Sequence, residues 1–213
     1  MITFRVGREG LRVIKLAYAS RRSLSICITG IGNPEPQYAL SRHNAGLLML
    51  DLLKSQFSQF SKPYMPCNAN SKVRRCQLGE ILLLRADGDY INLSGKTVVP
   101  LWKKLGPGVQ HIVVHDELSL TLGKVQLRKP ETSVRGHNGL KDLTRHFGGN
   151  FYRLAVGIGR PLQRDPEVVA KYVLSKFTKE ELQVMETESA PKAMQHLQHL
   201  QKLLRTKDTN EQN

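Results

Sequence analysis

Apolar residues recur along the chain in two patterns, one typical of strands and the other of helices. Short runs rich in Ile, Val and Leu, two of them ending at a glycine, predict six strands. These strands cover residues 24–32, 73–80, 81–86, 109–118, 123–129 and 152–159, and 123–129 is expected at a sheet edge.

Helical spacing of apolar residues separates these strands. Segments 43–57, 94–106 and 136–148 place apolar side chains three or four residues apart, and Gly106 would close the second helix. Alternating strands and helices predict the α/β class: a single domain with a mixed, mainly parallel twisted sheet flanked by helices on both faces.

The last third of the chain is predicted to be helical. Asp165 and Pro166 suit an N-cap and a first helical position, and Thr178 and Glu181 have capping-box spacing. Pro191 is expected to interrupt the helix before a final helical segment.

The chain divides into three parts by composition. Residues 1–23 form a basic leader, residues 24–204 the α/β domain, and residues 205–213 a polar tail. The leader contains several arginines but a single acid, Glu9, which is typical of a mitochondrial transit peptide. A disordered basic tail that adds affinity for RNA is the alternative. We therefore predict a mitochondrial location, with the cytoplasm as the alternative.

A formal charge of +14 predicts a polyanionic partner, and nucleic acid is preferred to a membrane surface. No run of about 18 apolar residues is present, so no membrane span is predicted. The three cysteines, Cys27, Cys67 and Cys76, have no CxxC spacing. This argues against a disulfide framework and a zinc knuckle, and favours a reducing compartment.

Polar side chains with catalytic potential follow the predicted strands, where ligands of open α/β sheets bind. These side chains are Asn33, Asn92, Asp116 and Asn138, and His43 stands at the start of the first helix. A neutral histidine can accept a proton from water, a carboxylate can hold its other ring nitrogen, and amides can orient water or an oxyanion. Such a set predicts a water-activating esterase that needs neither metal nor cofactor.

Three of these residues also have a structural interpretation. Asn33 before Pro34 suits a turn, Asp116 can cap a turn, and Asn92 can cap the following helix. The catalytic interpretation requires that the side chains line one common hollow.

The chain resembles the bacterial-type peptidyl-tRNA hydrolase family in five ordered segments. They are "TGIGNPEPQYALSRHNAG", "DGDYINLSGKTV", "VVHDELSLTLGKVQLR", "RGHNGLKDL" and "YRLAVGIGRP", spread over residues 25–162 with a looser fit to about 204. The resemblance implies hydrolysis of the ester between a peptide and the terminal ribose of tRNA, without a cofactor or a protein partner. With the leader, we expect a eukaryotic member from a fungal mitochondrion, and a monomer.

Family roles map onto this chain residue by residue. The resemblance makes His43 the catalytic base and Asp116 the acid that orients it. It implies that amides hold water, peptide or the tRNA end, beside Tyr38 in the pocket wall. These amides are Asn33, Asn92 and Asn138. C-terminal lysines would face the tRNA stem, although a solvated helix face is nearly as good an interpretation: Lys171, Lys176, Lys192 and Lys202.

Three departures from the family pattern are visible. Ile91 replaces a common methionine, and the loop before "GHNG" has lost most of its glycines. The usual basic positions for the tRNA end phosphate include Gln126 and Ala155, so that role passes to Arg128. Possible substitutes are Lys124, Lys129 and Arg135.

Two other functions fit the sequence less well. A non-catalytic RNA-binding protein on the same fold would not need a base with its orienting acid. A dinucleotide oxidoreductase is disfavoured because Glu35 occupies the third glycine position of the fingerprint.

Overall fold

The computed structural model describes residues 25–57, 62–134 and 136–210, with side chains up to residue 206. The predicted leader and Arg135 lie outside these residues. The strands are β1 Ile26–Ile31, β2 Met65–Cys67, β3 Asn70–Leu78, β4 Ile81–Ala86, β5 Gln110–Glu117, β6 Val125–Arg128 and β7 Tyr152–Gly157. The helices are α1 Ala45–Phe57, α2 Ser94–Trp102, α3 Asn138–Phe147, α4 Pro166–Leu174, α5 Lys179–Val184 and α6 Ala190–Asn210.

These strands form a single sheet in the order β2-β3-β4-β1-β5-β7-β6. The four central strands β4, β1, β5 and β7 are parallel, whereas β3 pairs antiparallel with β4, β2 with β3, and β6 with β7. The predicted α/β class and mixed sheet are confirmed, and β6 lies at an edge as expected. Because parallel strands end at the same side of a sheet, the residues after the four central strands face one crevice.

Helices cover both faces of the sheet, as predicted. Ile26 and Ile28 of β1 pack into a cluster with α1 and α6, whereas Cys27 and Ile31 pack with α2 and α3. This division follows from the two-residue period of a strand. Among the described helices, none combines the length and apolarity that crossing a bilayer requires.

The C-terminal caps are confirmed, but the predicted interruption at Pro191 is wrong. Asp165 accepts the backbone N–H of Glu167, and Thr178 and Glu181 form a complete capping box. Instead of a break, a π-helical turn at Met185–Ser189 leads directly into α6. Pro191 directly follows this wider turn, and the chain stays helical through it.

Two further details differ from the prediction. The segment 65–67, which lies outside the predicted strands, forms an edge strand. An edge strand tolerates Pro66 because a neighbour does not need its missing N–H. Helix α2 ends at Trp102, because the backbone N–H groups of Lys104 and Leu105 bond three residues back and tighten the last turn.

Candidate active site

His43 lies in a 3-10 turn, Arg42–Asn44, that joins the loop after β1 to helix α1. Gly46 allows this helix to start against the sheet: a Cβ there would lie 2.3 Å from the carbonyl oxygen of Val114 and 2.6 Å from that of Ile31. The first turn of α1 therefore touches the backbone of β1 and β5, which brings His43 to the end of β5.

His43 and Asp116 form a hydrogen-bonded pair. Nδ1 of His43 lies 2.8 Å from Oδ1 of Asp116, and the two side chains are 17% and 3% exposed. Burial by itself would raise the pKa of Asp116, but the nearby rings of His43 and His137 lower it, so the carboxylate is ionised. An ionised carboxylate accepts hydrogen bonds but cannot donate them. The neutral His43 ring therefore carries its proton on Nδ1 and keeps a lone pair on Nε2.

The same carboxylate changes the pKa of His43. Burial disfavours the imidazolium and would lower this pKa, but the charge of Asp116 and its hydrogen bond outweigh burial and raise it. The pair thus stabilises the imidazolium that forms when His43 accepts a proton.

His137 is a third member of the site that sequence reasoning missed. Its Nε2 lies 2.9 Å from Oδ1 of Asp116, while its Nδ1 accepts the backbone N–H of Leu140 at 3.2 Å as the N-cap of α3. Because Nδ1 is an acceptor, the proton of the neutral ring is on Nε2 and is donated to Asp116. The signal in the sequence was its position beside Asn138 in "RGHNGL".

His43, Asp116 and His137 each offer one atom that could bind a metal ion, and these three atoms lie within 4.8 Å of one another. Coordination through Nε2 of His137 would move its proton to Nδ1, directly against the N–H of Leu140. The donor set therefore fits proton transfer better than metal binding.

The predicted amides occupy different surroundings. Asn33 is buried, and its Oδ1 accepts the backbone N–H of Ile91 at 3.0 Å, which ties the loop after β1 to the turn that carries Asn92. Asn92 is exposed in that turn, Ile91–Leu93, whose backbone packs against Gly139 at the start of α3.

Tyr38 lies on the Asn92 side of the site, with its ring 6.2 Å from that of Tyr90 in an edge contact. Among the described residues, Tyr38, Asn33 and Asn92 do not line the cavity that contains the His–Asp pair. The common cavity expected from the sequence is thus lined by only some of the predicted residues. The other predicted residues lie on adjoining turns.

A cavity of about 990 Å³ opens beside the pair. Of the predicted residues it is lined by His43, Asp116, Asn138 and Arg128, and one wall comes from α4. The described part of the chain also places three arginines in the lining that sequence reasoning did not select: Arg153, Arg160 and Arg164. This concentration of cationic side chains suits a polyanionic ligand.

Of the four arginines that line the cavity, Arg128 and Arg153 have partners within the protein. Arg128 pairs with Glu117 at 2.6 Å. Arg153 is almost fully buried and donates to the backbone oxygens of Ser133 and Thr132 at 3.1 and 2.9 Å. Burial and the neighbouring Arg128 lower its pKa. Arg153 thus holds the loop that has lost its glycines against β7, and its signal in the sequence was a charge inside an apolar strand.

A histidine held by a buried carboxylate at the carboxyl edge of an α/β sheet is suited to activating water for hydrolysis. The glycine cradle of dinucleotide-binding proteins is missing here, because Glu35 stands at its third glycine position. A sequence model of the family described as peptidyl-tRNA hydrolase matches residues 27–213. The chain belongs to the peptidyl-tRNA hydrolase family, as its motifs predicted.

Individual proteins of this family are similar to the chain in sequence and in structure. Peptidyl-tRNA hydrolase of Saccharomyces cerevisiae is 47% identical over 175 residues, which are 79% of this chain and 92% of the yeast protein. The probable peptidyl-tRNA hydrolase of Schizosaccharomyces pombe is 38% identical over 176 residues, 79% of this chain and 80% of that protein. The crystal structure of peptidyl-tRNA hydrolase from Acinetobacter baumannii has a TM-score of 0.63 at 29% identity, and the match covers 82% of this chain and 95% of that one.

Proposed function

We propose that this protein hydrolyses the ester bond of peptidyl-tRNA with a water molecule that His43 activates as a general base. The observation that carries the proposal is the 2.8 Å contact between Nδ1 of His43 and Oδ1 of Asp116, which leaves Nε2 free to accept a proton. Water loses its proton to Nε2 as it attacks the ester carbonyl, and Asp116 stabilises the imidazolium. The proton then passes to the departing ribose oxygen, which releases tRNA and a free peptide.

The amide side chains have a supporting role in this proposal. Asn138 is exposed at the cavity and can donate to the oxygen that gains charge during the attack. Asn33, Asn92 and Tyr38 would contact the peptide or the tRNA end from the adjoining turns.

We also propose how tRNA lies on the enzyme. The acceptor end enters the arginine-lined cavity, with Arg128 as one phosphate contact, and the stem follows the lysines of the C-terminal helices. A monomer suffices for this arrangement, because every residue invoked comes from one chain.

The proposed location is the mitochondrion, on the basis of the basic leader at residues 1–23. A fusion of these residues to a fluorescent protein should be imported into mitochondria, and the leader should be cleaved off. A fusion that remains in the cytoplasm would contradict the proposed location. It would not bear on the proposed enzymatic activity.

The decisive experiment compares N-blocked aminoacyl-tRNA with free aminoacyl-tRNA, with and without a chelator. The wild-type protein should cleave the blocked substrate selectively and be indifferent to chelation. His43→Ala should lower kcat about 100- to 10,000-fold, because a positioned base contributes that much, while tRNA affinity stays nearly unchanged.

The matched control is His146→Ala, which removes an exposed histidine of α3 outside the cavity lining. It should retain full turnover. Equal rates in His43→Ala and wild type would reject the base, and a wild-type protein that binds tRNA without cleaving any substrate would be a non-catalytic RNA-binding protein.

A further inference from the structure

Arg42, the residue before His43, is a buried cation with an unusual number of partners. Arg42 as a whole residue is only 8% exposed to solvent. It donates to Oγ of Ser175 at 2.7 Å, to the carbonyl oxygen of Lys176 at 2.8 Å and to both carboxylate oxygens of Glu181 at 2.7 Å. The guanidinium also lies 4.6 Å from the centre of the Tyr172 ring.

All of these partners belong to helices α4 and α5 or to the junction between them. Backbone hydrogen bonds follow the same path: the N–H of Arg42 donates to Ser175, and the N–H of Phe177 donates to Leu40, both at 3.0 Å. Helix α4 forms a wall of the catalytic cavity. The turn that carries His43 is therefore fixed to this junction just before the histidine, and to α1 just after it.

We propose that Arg42 is a positioning residue, which holds the turn of His43 so that Nδ1 stays on Asp116 and Nε2 faces the cavity. This inference rests on the proposed role of His43 as the base. A guanidinium suits the task because its planar fork can direct one N–H to each of the four acceptor atoms around Arg42, whereas a lysine has only three N–H groups. A small displacement of His43 matters because about 1 Å of misplacement can cost on the order of 100-fold in rate.

The test compares Arg42→Met with Arg42→Lys, with rates referred to the folded fraction of each preparation. Arg42→Met should lower kcat on the order of 100-fold. Its KM should change no more than about threefold, because Arg42 does not line the cavity. Arg42→Lys should recover part of the loss.

A second readout separates positioning from mere stability. His43 faces Asp116 from β5 and His137 from the start of α3, with the two imidazole rings 5.3 Å apart. A loosened contact with Asp116 should move the acid limb of the kcat/KM profile of Arg42→Met to lower pH. An unchanged limb and an unchanged kcat with reduced thermal stability would overturn the proposal, as would a raised KM alone.

Thr178→Ala is the matched control. It removes the side-chain cap of α5, which shares Glu181, but leaves the Arg42–Glu181 pair in place. It should lower the melting temperature and keep kcat. The same kcat loss in Thr178→Ala would attribute the effect to helix α5 and overturn the proposal. An active His43→Ala would instead refute the proposed base, so the two failures are distinguishable.

Discussion

Asp116 holds a charge where water scarcely reaches, and two imidazole N–H groups compensate for its burial. A buried ion is costly unless donors surround it. His137 adds a second donor from Nε2, so Asp116 does not depend on His43 alone. This explains at the residue level why the site contains a second histidine.

The raised pKa of His43 makes a prediction about pH. The neutral ring is the active form, so kcat/KM should fall as pH drops through a pKa above the ordinary 6.5. Asp116→Asn removes the charge that raises this pKa. It should move the acid limb to lower pH and lower kcat about 100- to 10,000-fold.

Steady-state rates of both proteins across the pH range check this prediction, with circular dichroism to confirm that the variant is folded. An acid limb at the same pH in the variant and the wild type would show that Asp116 does not act on His43.

At the scale of elements, the site depends on how closely α1 approaches the sheet. Gly46 contacts the backbone of both β1 and β5, and backbone atoms cannot move aside as a flexible side chain can. The helix start and the end of β5 are thus held at a fixed separation. That separation sets the distance from His43 to Asp116.

Gly46→Ala should therefore impair both stability and turnover. The added Cβ forces α1 away from the sheet, at a cost of about 1–3 kcal/mol in the free energy of unfolding. The same displacement should lower kcat on the order of 100-fold.

Urea unfolding and steady-state kinetics measure the two effects. Ser55→Ala, on the exposed face of the same helix, is the control, and should change the unfolding free energy by no more than about 0.5 kcal/mol. A Gly46→Ala enzyme with normal kcat would show that the close approach is not needed for catalysis.

For the whole molecule, the formal charge of +14 and the arginine-lined cavity favour a polyanion, and they predict binding that weakens with salt. Arg128→Gln should weaken tRNA binding. It should also flatten the slope of the logarithm of the binding constant against the logarithm of the salt concentration by roughly 0.7 to 0.9. This is the change expected when one phosphate contact, and the counterion release that goes with it, is lost.

Lys103→Gln removes the same charge near the start of β5, at the opposite end of the sheet from Asp116, and is the control. Its slope should match that of the wild type. A slope unchanged by Arg128→Gln would indicate that Arg128 stays paired with Glu117 and does not contact a phosphate.

Much of the fold could be predicted because its signals are local. The strands β1, β4 and β5 appear as runs of β-branched and aliphatic residues, and the caps at Asp165 and Thr178 depend on spacings of a few residues. The strand β2 could not be predicted. It forms because β3 offers a free edge, which is a property of the assembled sheet.

The site was predicted less completely than the fold. Asp116 and Asn138 were selected because they follow predicted strands, and His43 because it starts the first helix; these three line one cavity. Asn33 and Asn92 were selected by the same strand-end rule but lie on adjoining turns. His137 was missed because its position beside Asn138, the one signal available, does not by itself indicate a catalytic role. Its role arises from serving as the cap of α3 while facing Asp116.

The sequence alone determined which segments form strands and helices, and which chemical groups stand at their ends, because periodicity and capping act over a few residues. Only the tertiary structure decided which of these groups meet. His43 and Asp116 are 73 residues apart. They become partners because β5 pairs beside β1 and because α1 packs directly on both strands. Contacts of that range depend on the order of strands in the sheet, which no local pattern encodes.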